Sequence, residues 1–435
     1  MRAALRPLRL PVFRRLALVR FVDELGDWMG EIALAVLVFD QTGSPLATAA
    51  LFVALQFAPA LATPPLVARL ESFHSRVSLP ALSVVQAAAF AGLAVLSTDF
   101  SLVPVIALAA LAGAIAGCGR ALTRAAAATV LTPRRLLREG NALLNIGFTA
   151  GAAAGPALAG VVVATAGPRT ALFADAASFG AVALLLATAS SLPRAKPEAA
   201  RWTTRLRMGL SYVRSHPQLR LLLAAQAMAF VFFAIVIPIE VVFAKRTLDA
   251  GDAGYGALLA SWGAGMVCGG LAFAFLRRTP LHILLAVSTL AIGCAYLATG
   301  AAPTLLAACI ASAVGGAGNG IQWVALMTAV QQLTRADYQA RVISLLESLA
   351  TAMPGLGFVI GGAVTAVFNP RTSYAVAGAG VLAVLAVAFV ALSRARWRAE
   401  PVTDFAATAG AMLPGAVAAR TPGGGGLDTP DRASR

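Results

Sequence analysis

Long apolar runs are the feature that most constrains what this chain can fold into. The 435 residues are 59% hydrophobic and only 12% charged, with a mean hydropathy of +0.80, whereas a soluble protein has about 25% charged residues. A run of about 20 apolar residues crosses a bilayer as a helix, and in lipid every backbone polar group needs a partner within the protein. We therefore predict an all-α integral membrane protein.

Twelve such runs follow one another along the chain, and a polar gap at 193–217 divides them six and six. They cover residues 16–40, 45–68, 77–97, 101–125, 141–166, 170–192, 218–243, 254–276, 279–299, 303–329, 342–368 and 372–393. The domains expected from these boundaries are a six-helix half over 1–192, a basic linker over 193–217, a second six-helix half over 218–393 and a disordered cytoplasmic tail over 394–435.

The basic residues predict the orientation, because cytoplasmic loops carry an excess of Lys and Arg. With the N-terminus inside, 29 of the 34 Lys and Arg residues fall in inner segments, 4 fall in outer loops, and Arg20 lies within the first run. Both termini are therefore expected in the cytoplasm. Arginine outnumbers lysine 32 to 2, a composition that suggests a bacterial source and hence the inner (plasma) membrane.

An internal repeat supports the six-plus-six division. At a constant offset of 202 residues, the triplet 168–170 matches 370–372, both reading PRT, and the glycines at 155 and 160 match those at 357 and 362. Parallel repeats of six spans are the architecture of one large class of transporters.

Five charges interrupt the first apolar run, in the stretch RFVDELGDWMGE at 20–31. They belong to Arg20, Asp23, Glu24, Asp27 and Glu31. At about 100° per residue they form a stripe about 100° wide on one helix. Because charges at bilayer depth normally face a bundle interior or a water-filled cavity, the stripe predicts a polar pathway.

A carboxyl group buried in the membrane holds its proton more readily than one in water, which suits proton coupling. Our hypothesis is that Asp27, with Glu31 second, couples proton movement to transport. The alternative is that Arg20 pairs with Asp23 or Glu24 along the helix and that Asp27 only ties helices together.

The fifth run contains GAAAGPALAG, with Gly151, Gly155, Pro156 and Gly160. It resembles the GxxxGPxxGG motif of drug–proton antiporters in the major facilitator superfamily, with Ala159 in place of one glycine. Glycines four residues apart let helices approach closely, and Pro156 is expected to kink the helix there.

Two further stretches, FRRLALVRFVDELGDWMGEIAL and LTRADYQARVIS, resemble the bacterial subfamily of siderophore exporters and macrolide efflux proteins. The resemblance covers about residues 10–395. It implies the major facilitator fold, alternating access of two six-helix halves, and proton-coupled export of a small amphipathic or hydrophobic compound such as a drug, siderophore or secondary metabolite.

The resemblance also implies roles for particular residues. Arg120 and Arg124 lie where the superfamily carries a span-four arginine that transfers protons or pairs with an acid. Arg69, Glu71 and Arg76 only approximate its cytoplasmic charge latch, to which the resemblance assigns a gating role.

Other polar or aromatic residues within the runs are candidates for cavity walls. They are Trp28, Gln56, Asn145, Gln226, Asn319, Gln322 and Glu347. Asp175 and Glu240 lie toward the outer ends of their runs, which fits an external gate or an interfacial location better than a central site.

We expect no cofactor and no metal, since no GxxxxGK[ST] nucleotide loop occurs and the cysteines and histidines lack ligand spacing. The expected partners are a small-molecule substrate, protons and the lipid bilayer, and we expect a monomer that does not bind nucleic acid. Three other functions remain open: an uptake symporter for a nutrient, a lysolipid flippase, and a non-transporting sensor or scaffold.

Overall fold

A computed structural model describes residues 5–70, 75–188, 202–273, 275–276 and 278–394. These residues form helices and turns without a strand. The tail expected over 394–435 lies, apart from its first residue, outside the described residues.

The α-helices of the described part are numbered in chain order. They are α1 Pro11–Thr42, α2 Pro45–Phe52, α3 Ala58–Leu70, α4 Ser75–Leu96, α5 Leu102–Leu131, α6 Leu137–Ala187, α7 Trp202–Ser215, α8 Pro217–Ala234, α9 Glu240–Val242, α10 Gly251–Phe273, α11 Leu281–Ala301, α12 Leu305–Leu333, α13 Ala336–Ala352, α14 Pro354–Val367 and α15 Pro370–Arg394. Short 3₁₀ segments occur at Arg6–Arg9, Thr132–Arg134 and Ile237–Ile239, and π-helical turns at Val53–Phe57 and Phe243–Thr247.

Ten helical segments in the described residues are long and apolar enough to cross a membrane. Two features explain why ten segments are found where twelve runs were predicted. Helix α1 has 32 residues but carries the five charges of the stripe, and the predicted runs 141–166 and 170–192 lie within the single 51-residue helix α6.

Helix α6 is broken at Gly167, where the backbone adopts φ 81° and ψ 163°. This left-handed region strongly favours glycine, and Pro168 follows at once. The break divides α6 into two arms that correspond to the two predicted runs. The dihedral angles at Pro156 stay helical, and the kink expected there stays a prediction.

The predicted linker at 193–217 contains a helix, α7, that the sequence analysis did not anticipate. Its Tyr212 is buried and stacks on Tyr338 of α13, with ring centroids 4.3 Å apart. The backbone N–H of Arg335 donates to the Tyr212 hydroxyl over 3.1 Å. Tyr212 and Val213 are buried while Arg207 and Arg214 are exposed, so α7 packs one side on the bundle and keeps basic groups on the other.

Helices α1–α6 (the first set) and α8–α15 (the second set) meet where α1 ends and α2 begins, here called the Thr42 end. A Cβ built on Gly160 of α6 would lie 2.5 Å from the Cα of Gly256 in α10. Phe52 of α2 packs on Phe358 of α14, with ring centroids 5.8 Å apart. Small residues thus bring the two sets into backbone contact at this end.

Charged groups reinforce the Thr42 end. The ammonium group of Lys245 lies 2.5 Å from an oxygen of Asp40, in the first set, and 2.6 Å from one of Asp252 in the second set. Arg246 donates to the carbonyl oxygen of Gly43 over 2.9 Å. We call these contacts the Lys245 clasp; it ties the second set to the end of α1.

Contact between the sets is looser toward the opposite end. Arg124 of α5 and Glu347 of α13 form an ion pair of 3.6 Å, and more than half of each side chain is exposed, 62% and 53%. Exposed pairs of this kind contribute little to stability. The Thr42 end is therefore the more tightly closed of the two.

The Gly160–Gly256 contact predicts that Gly160→Ala lowers the stability of the fold. The new methyl group meets backbone that cannot rotate away, and overpacking of this kind costs about 1–3 kcal/mol. We expect a lower midpoint of thermal unfolding for the purified full chain in detergent.

The matched control is Gly180→Ala in the same helix, where an added Cβ has no heavy atom within 4 Å. Alanine there is expected to be neutral or stabilising by up to about 1 kcal/mol. Equal midpoints for the two variants would contradict the importance of the glycine contact.

Candidate functional site

Helix α1 packs along α6, and the glycines of the GAAAGPALAG motif make room for its polar side. A Cβ built on Gly151 would lie 2.6 Å from Cγ of Glu24, and one on Gly155 would lie 2.8 Å from Cδ1 of Trp28. The motif therefore seats the charged stripe of α1 closely against the first arm of α6. Gly160, further along the same arm, contacts the second set instead.

Arg20 and Glu24 form an ion pair one turn apart on α1, with 2.6 Å between Nη2 and Oε2. Both side chains are buried, with 6% and 9% exposed. This is the pairing that the sequence allowed as the structural alternative, and it accounts for an arginine inside an apolar helix: its charge is matched by a carboxylate on the same helix.

Asp27 pairs with Arg120 of α5 instead of a residue of its own helix, over 3.0 Å between Oδ2 and Nη1. The side chains keep 24% and 42% of their surface exposed. A cavity of about 20 Å³ adjoins them, lined among others by Asp23, Gln86 and Thr123, which is room for about one water molecule. The pair thus joins two helices beside a polar cavity.

Glu31 lies one turn beyond Asp27 and accepts a hydrogen bond of 3.2 Å from the side-chain amide of Gln56. Gln56 belongs to the π-helical turn Val53–Phe57, and such turns occur frequently at functional sites. The polar stripe therefore continues from α1 onto the segment between α2 and α3.

The remaining predicted latch and arginine residues lie apart from this stripe. Arg69 lies exposed in the last turn of α3 and Arg76 exposed in the first turn of α4, while Glu71 lies outside the described residues. Arg124 faces Glu347 toward the loosely packed end, so Arg120 is the span-four arginine that meets the acidic stripe.

The predicted cavity residues occupy separate places. Gln226, Asn319 and Gln322 line a cavity of about 60 Å³ inside the second set, where Gln322 donates to the Thr289 hydroxyl over 2.8 Å. Trp28 and Gln56 lie near the stripe and Glu347 lies near Arg124, while the side chain of Asn145 is not among those the structure describes.

Two carboxyl groups expected toward the outer ends of their runs are buried within the bundle. Asp175, on the second arm of α6, has no exposed surface and packs against Gly26 and Gly30 of α1. Glu240 of α9 is only 8% exposed. Burial does not fit the interfacial location that the sequence suggested for both, whereas the other expectation, an external gate, stays a prediction. The spacing of Gly26 and Gly30, four residues apart, was a signal for the Asp175 contact; nothing local signalled the burial of Glu240.

The fold defines a class of protein. Solved structures of the nucleoside transporter NupG and of a bacterial homologue of the human lysosomal transporter Spinster match with TM-scores of 0.70 and 0.71. The matches are 13% and 16% identical and cover 88% and 89% of this chain and 99% and 97% of those chains. The chain has the architecture of the major facilitator transporters.

The family follows from the sequence itself. A family model described as transmembrane secretion effector matches residues 2–412, and the chain belongs to this family of the major facilitator superfamily. The multidrug efflux pump Tap of Mycobacterium tuberculosis (strain ATCC 25618 / H37Rv) is 28% identical over 361 residues, which cover 78% of this chain and 84% of Tap. Tap of Mycobacterium bovis (strain BCG / Pasteur 1173P2) matches equally. The chain is a membrane transporter and not an enzyme.

The buried pair Arg20–Glu24 and the exposed pair Arg124–Glu347 are expected to differ in their contribution to stability. Glu24→Gln leaves the buried Arg20 charge without its carboxylate, and breaking a buried pair costs about 3–5 kcal/mol. Glu347→Gln breaks an exposed pair, which is worth about 0–1 kcal/mol. We expect a large fall in the thermal unfolding midpoint for the first variant and little change for the second.

Both variants exchange a carboxylate for an amide of the same shape, so each serves as the control for the other. A similar midpoint for the two would mean that the Arg20–Glu24 pair does not stabilise α1.

Proposed function

We propose that this protein exports a small amphipathic or hydrophobic compound by proton antiport, through alternating access of two six-helix halves. The proposal includes twelve membrane spans, both termini in the cytoplasm, and a monomer in the inner membrane of a bacterium. Export as the direction is supported by the 28% identity to the multidrug efflux pump Tap.

The twelve-span arrangement is supported by the lengths of two helices. Helix α1 is long enough, at 32 residues, to cross a bilayer despite its charges. Each arm of α6 on either side of Gly167 is also about the length of a span. Helix α6 is already one of the ten apolar segments, so α1 adds one span, the second arm of α6 adds another, and the spans number twelve. The excess of basic residues favours cytoplasmic termini.

The ion pair between Asp27 and Arg120 is the observation that carries proton coupling. The carboxylate and its counterion belong to different helices, and part of each side chain remains exposed beside a polar cavity. A proton that binds Asp27 removes its negative charge, and the attraction to Arg120 is lost. Protonation therefore alters the force between α1 and α5, which is what a coupling residue must do.

Glu31 is the second coupling residue in this proposal. It lies one turn along α1 from Asp27 and has the neutral amide of Gln56 as its hydrogen-bond partner. Two like charges at this separation repel each other, so loss of a proton at one site favours retention at the other. The two carboxyl groups would then exchange protons in sequence along α1.

In the alternating cycle we propose, the structure described here corresponds to the conformation closed at the Thr42 end, which the proposed topology puts outside. Substrate enters from the cytoplasmic end, where Arg124 and Glu347 meet in an exposed pair. Two aromatic side chains provide apolar surface for an amphipathic compound in this proposal: Trp28 beside the stripe, and Phe233, which lines the same cavity as Gln226. The charged stripe carries the proton.

The test is Asp27→Asn, which keeps the shape of the side chain and removes its titratable group. A susceptibility panel on cells with and without the protein first selects an exported compound. In everted membrane vesicles energised by a proton gradient, we expect at least about a tenfold loss of uptake of that compound, equivalent to about 1.4 kcal/mol of coupling.

The control is Asp99→Asn, an exposed carboxylate in the loop between α4 and α5, which is expected to transport normally. Undiminished gradient-driven transport by Asp27→Asn at normal membrane levels would overturn proton coupling at this residue. Accumulation by intact cells would favour a nutrient symporter, movement of labelled lysolipid would favour a flippase, and the absence of any flux would favour a sensor or scaffold.

A further inference from the structure

A carboxyl group that the proposed coupling pathway does not use, Glu240, is buried in the second set of helices. It begins the short helix α9, after the 3₁₀ turn Ile237–Ile239. Its described hydrogen-bond partner is the hydroxyl of Tyr374 in α15, which donates to Oε1 over 3.5 Å. A neutral donor at this distance compensates a carboxylate charge only weakly.

The titratable groups that act on Glu240 are neutral or acidic, whereas Arg371 of α15 lies over the Phe243 ring and donates to the carbonyl oxygens of Gly300 and Ala302. The titratable side chains whose charge or hydrogen bond acts on it, or on which it acts, are Tyr374 of α15, Tyr296 of α11, Tyr255 of α10 and Glu31 of α1. Phe243 adds an apolar wall, with its ring centroid 4.8 Å from that of Tyr374. Among the described residues, the ion pairs include no cation for Glu240.

Glu240 and Glu31 belong to different sets of helices but to the same interface. Helix α9, which begins at Glu240, packs against α1, which carries Glu31. Tyr255 of α10 interacts electrostatically with both carboxyl groups, and it directly precedes Gly256. Gly256 is the residue whose backbone touches Gly160 of the first set. The closed Thr42 end therefore lies over two carboxyl groups, one from each set.

Closing this interface has an electrostatic condition. An ionised carboxylate that is removed from water without a cationic partner is strongly destabilised, and two of them near each other also repel. In the Lys245 clasp, the ammonium group of Lys245 balances the negative charges of Asp40 and Asp252. Glu240 has no such cation among its described partners, so a proton is the remaining means of neutralising it.

We propose that Glu240 is a proton-dependent gate residue of the second set: the Thr42 end closes when Glu240 carries a proton and opens when that proton is lost to water. The inference rests on the proposed function and adds to it a carboxyl group outside the first set. In each cycle one proton from water binds the Glu240 carboxylate as the interface closes, and the same proton returns to water when the interface opens.

The sign of the pH dependence follows directly. The closed form holds Glu240 neutral, whereas the open form exposes it to water, where a glutamate is ionised at neutral pH. Raising the pH therefore favours the open form. One linked proton changes the ratio of open to closed molecules by up to about tenfold per pH unit.

The experiment measures the opening of the Thr42 end directly. Spin labels are placed at Thr98→Cys, after α4, and Ala301→Cys, at the end of α11, both exposed, in the full chain with its four native cysteines replaced. Distance distributions are recorded in lipid nanodiscs between pH 5 and 9, without substrate or a proton gradient. We expect the wild-type background to open progressively as the pH rises.

Glu240→Gln imitates the protonated carboxyl group and is expected to stay closed, with less than about a threefold change in the open-to-closed ratio over the same range. Glu240→Asp keeps a titratable group and is expected to retain the pH dependence, which separates titration from damage to packing. Asp99→Asn is the matched control and is expected to follow the wild-type background.

A Glu240→Gln protein that opens with pH as the wild-type background does would overturn the proposal, as would a Glu240→Asp protein without pH dependence. The same distance measurement on Asp27→Asn, which keeps Glu240, separates the two sites: a pH dependence of opening that survives in this variant belongs to Glu240 and not to Asp27. The gate at Glu240 and proton coupling at Asp27 therefore succeed or fail separately.

Discussion

The cost of holding charge away from water is the constraint on which the rest of this structure depends. Helix α1 carries five charges within the bundle. The two ion pairs of the stripe reduce the cost of these charges in different ways. Arg20 and Glu24 neutralise each other within one helix and are buried. Asp27 takes its counterion from α5 and remains partly exposed. The first arrangement stabilises α1 as a unit, whereas the second makes the position of α1 sensitive to the charge on Asp27.

The charges of α1 must also be held at fixed positions, and close packing against glycines holds them there. Gly151 and Gly155 let α6 approach the side of α1 that carries Glu24 and Trp28, and Gly160 lets the same helix touch the second set at Gly256. One arm of α6 therefore contacts both the charged stripe and the interface that closes the Thr42 end. On the α6 side these contacts are made by glycine backbone, which leaves little room for either neighbour to move closer.

The second set also contains a buried carboxyl group, Glu240. The charged stripe that the sequence indicated lies on α1, in the first set. Glu240, enclosed by tyrosines and close to Glu31, lies on the other side of the interface. If protons act on both sides of the interface, the two sets respond to the same ion through different chemistry: an ion pair in the first and a carboxyl group with a neutral partner in the second.

The sequence by itself determined the class of structure and the chemistry available to it. Hydropathy alone requires apolar helices in lipid, the motif glycines indicated α6 as a packing helix, and the spacing of the charges put them on one face of α1. Only the tertiary structure decided the partners: that Asp27 meets Arg120 and not Arg124, that one arm of α6 contacts both α1 and α10, that α7 docks on α13, and that Glu240 is buried. The physical reason is that hydropathy and spacing report which residues share a helix face, whereas the rotation and depth of each helix relative to its neighbours depend on packing between segments far apart in the chain.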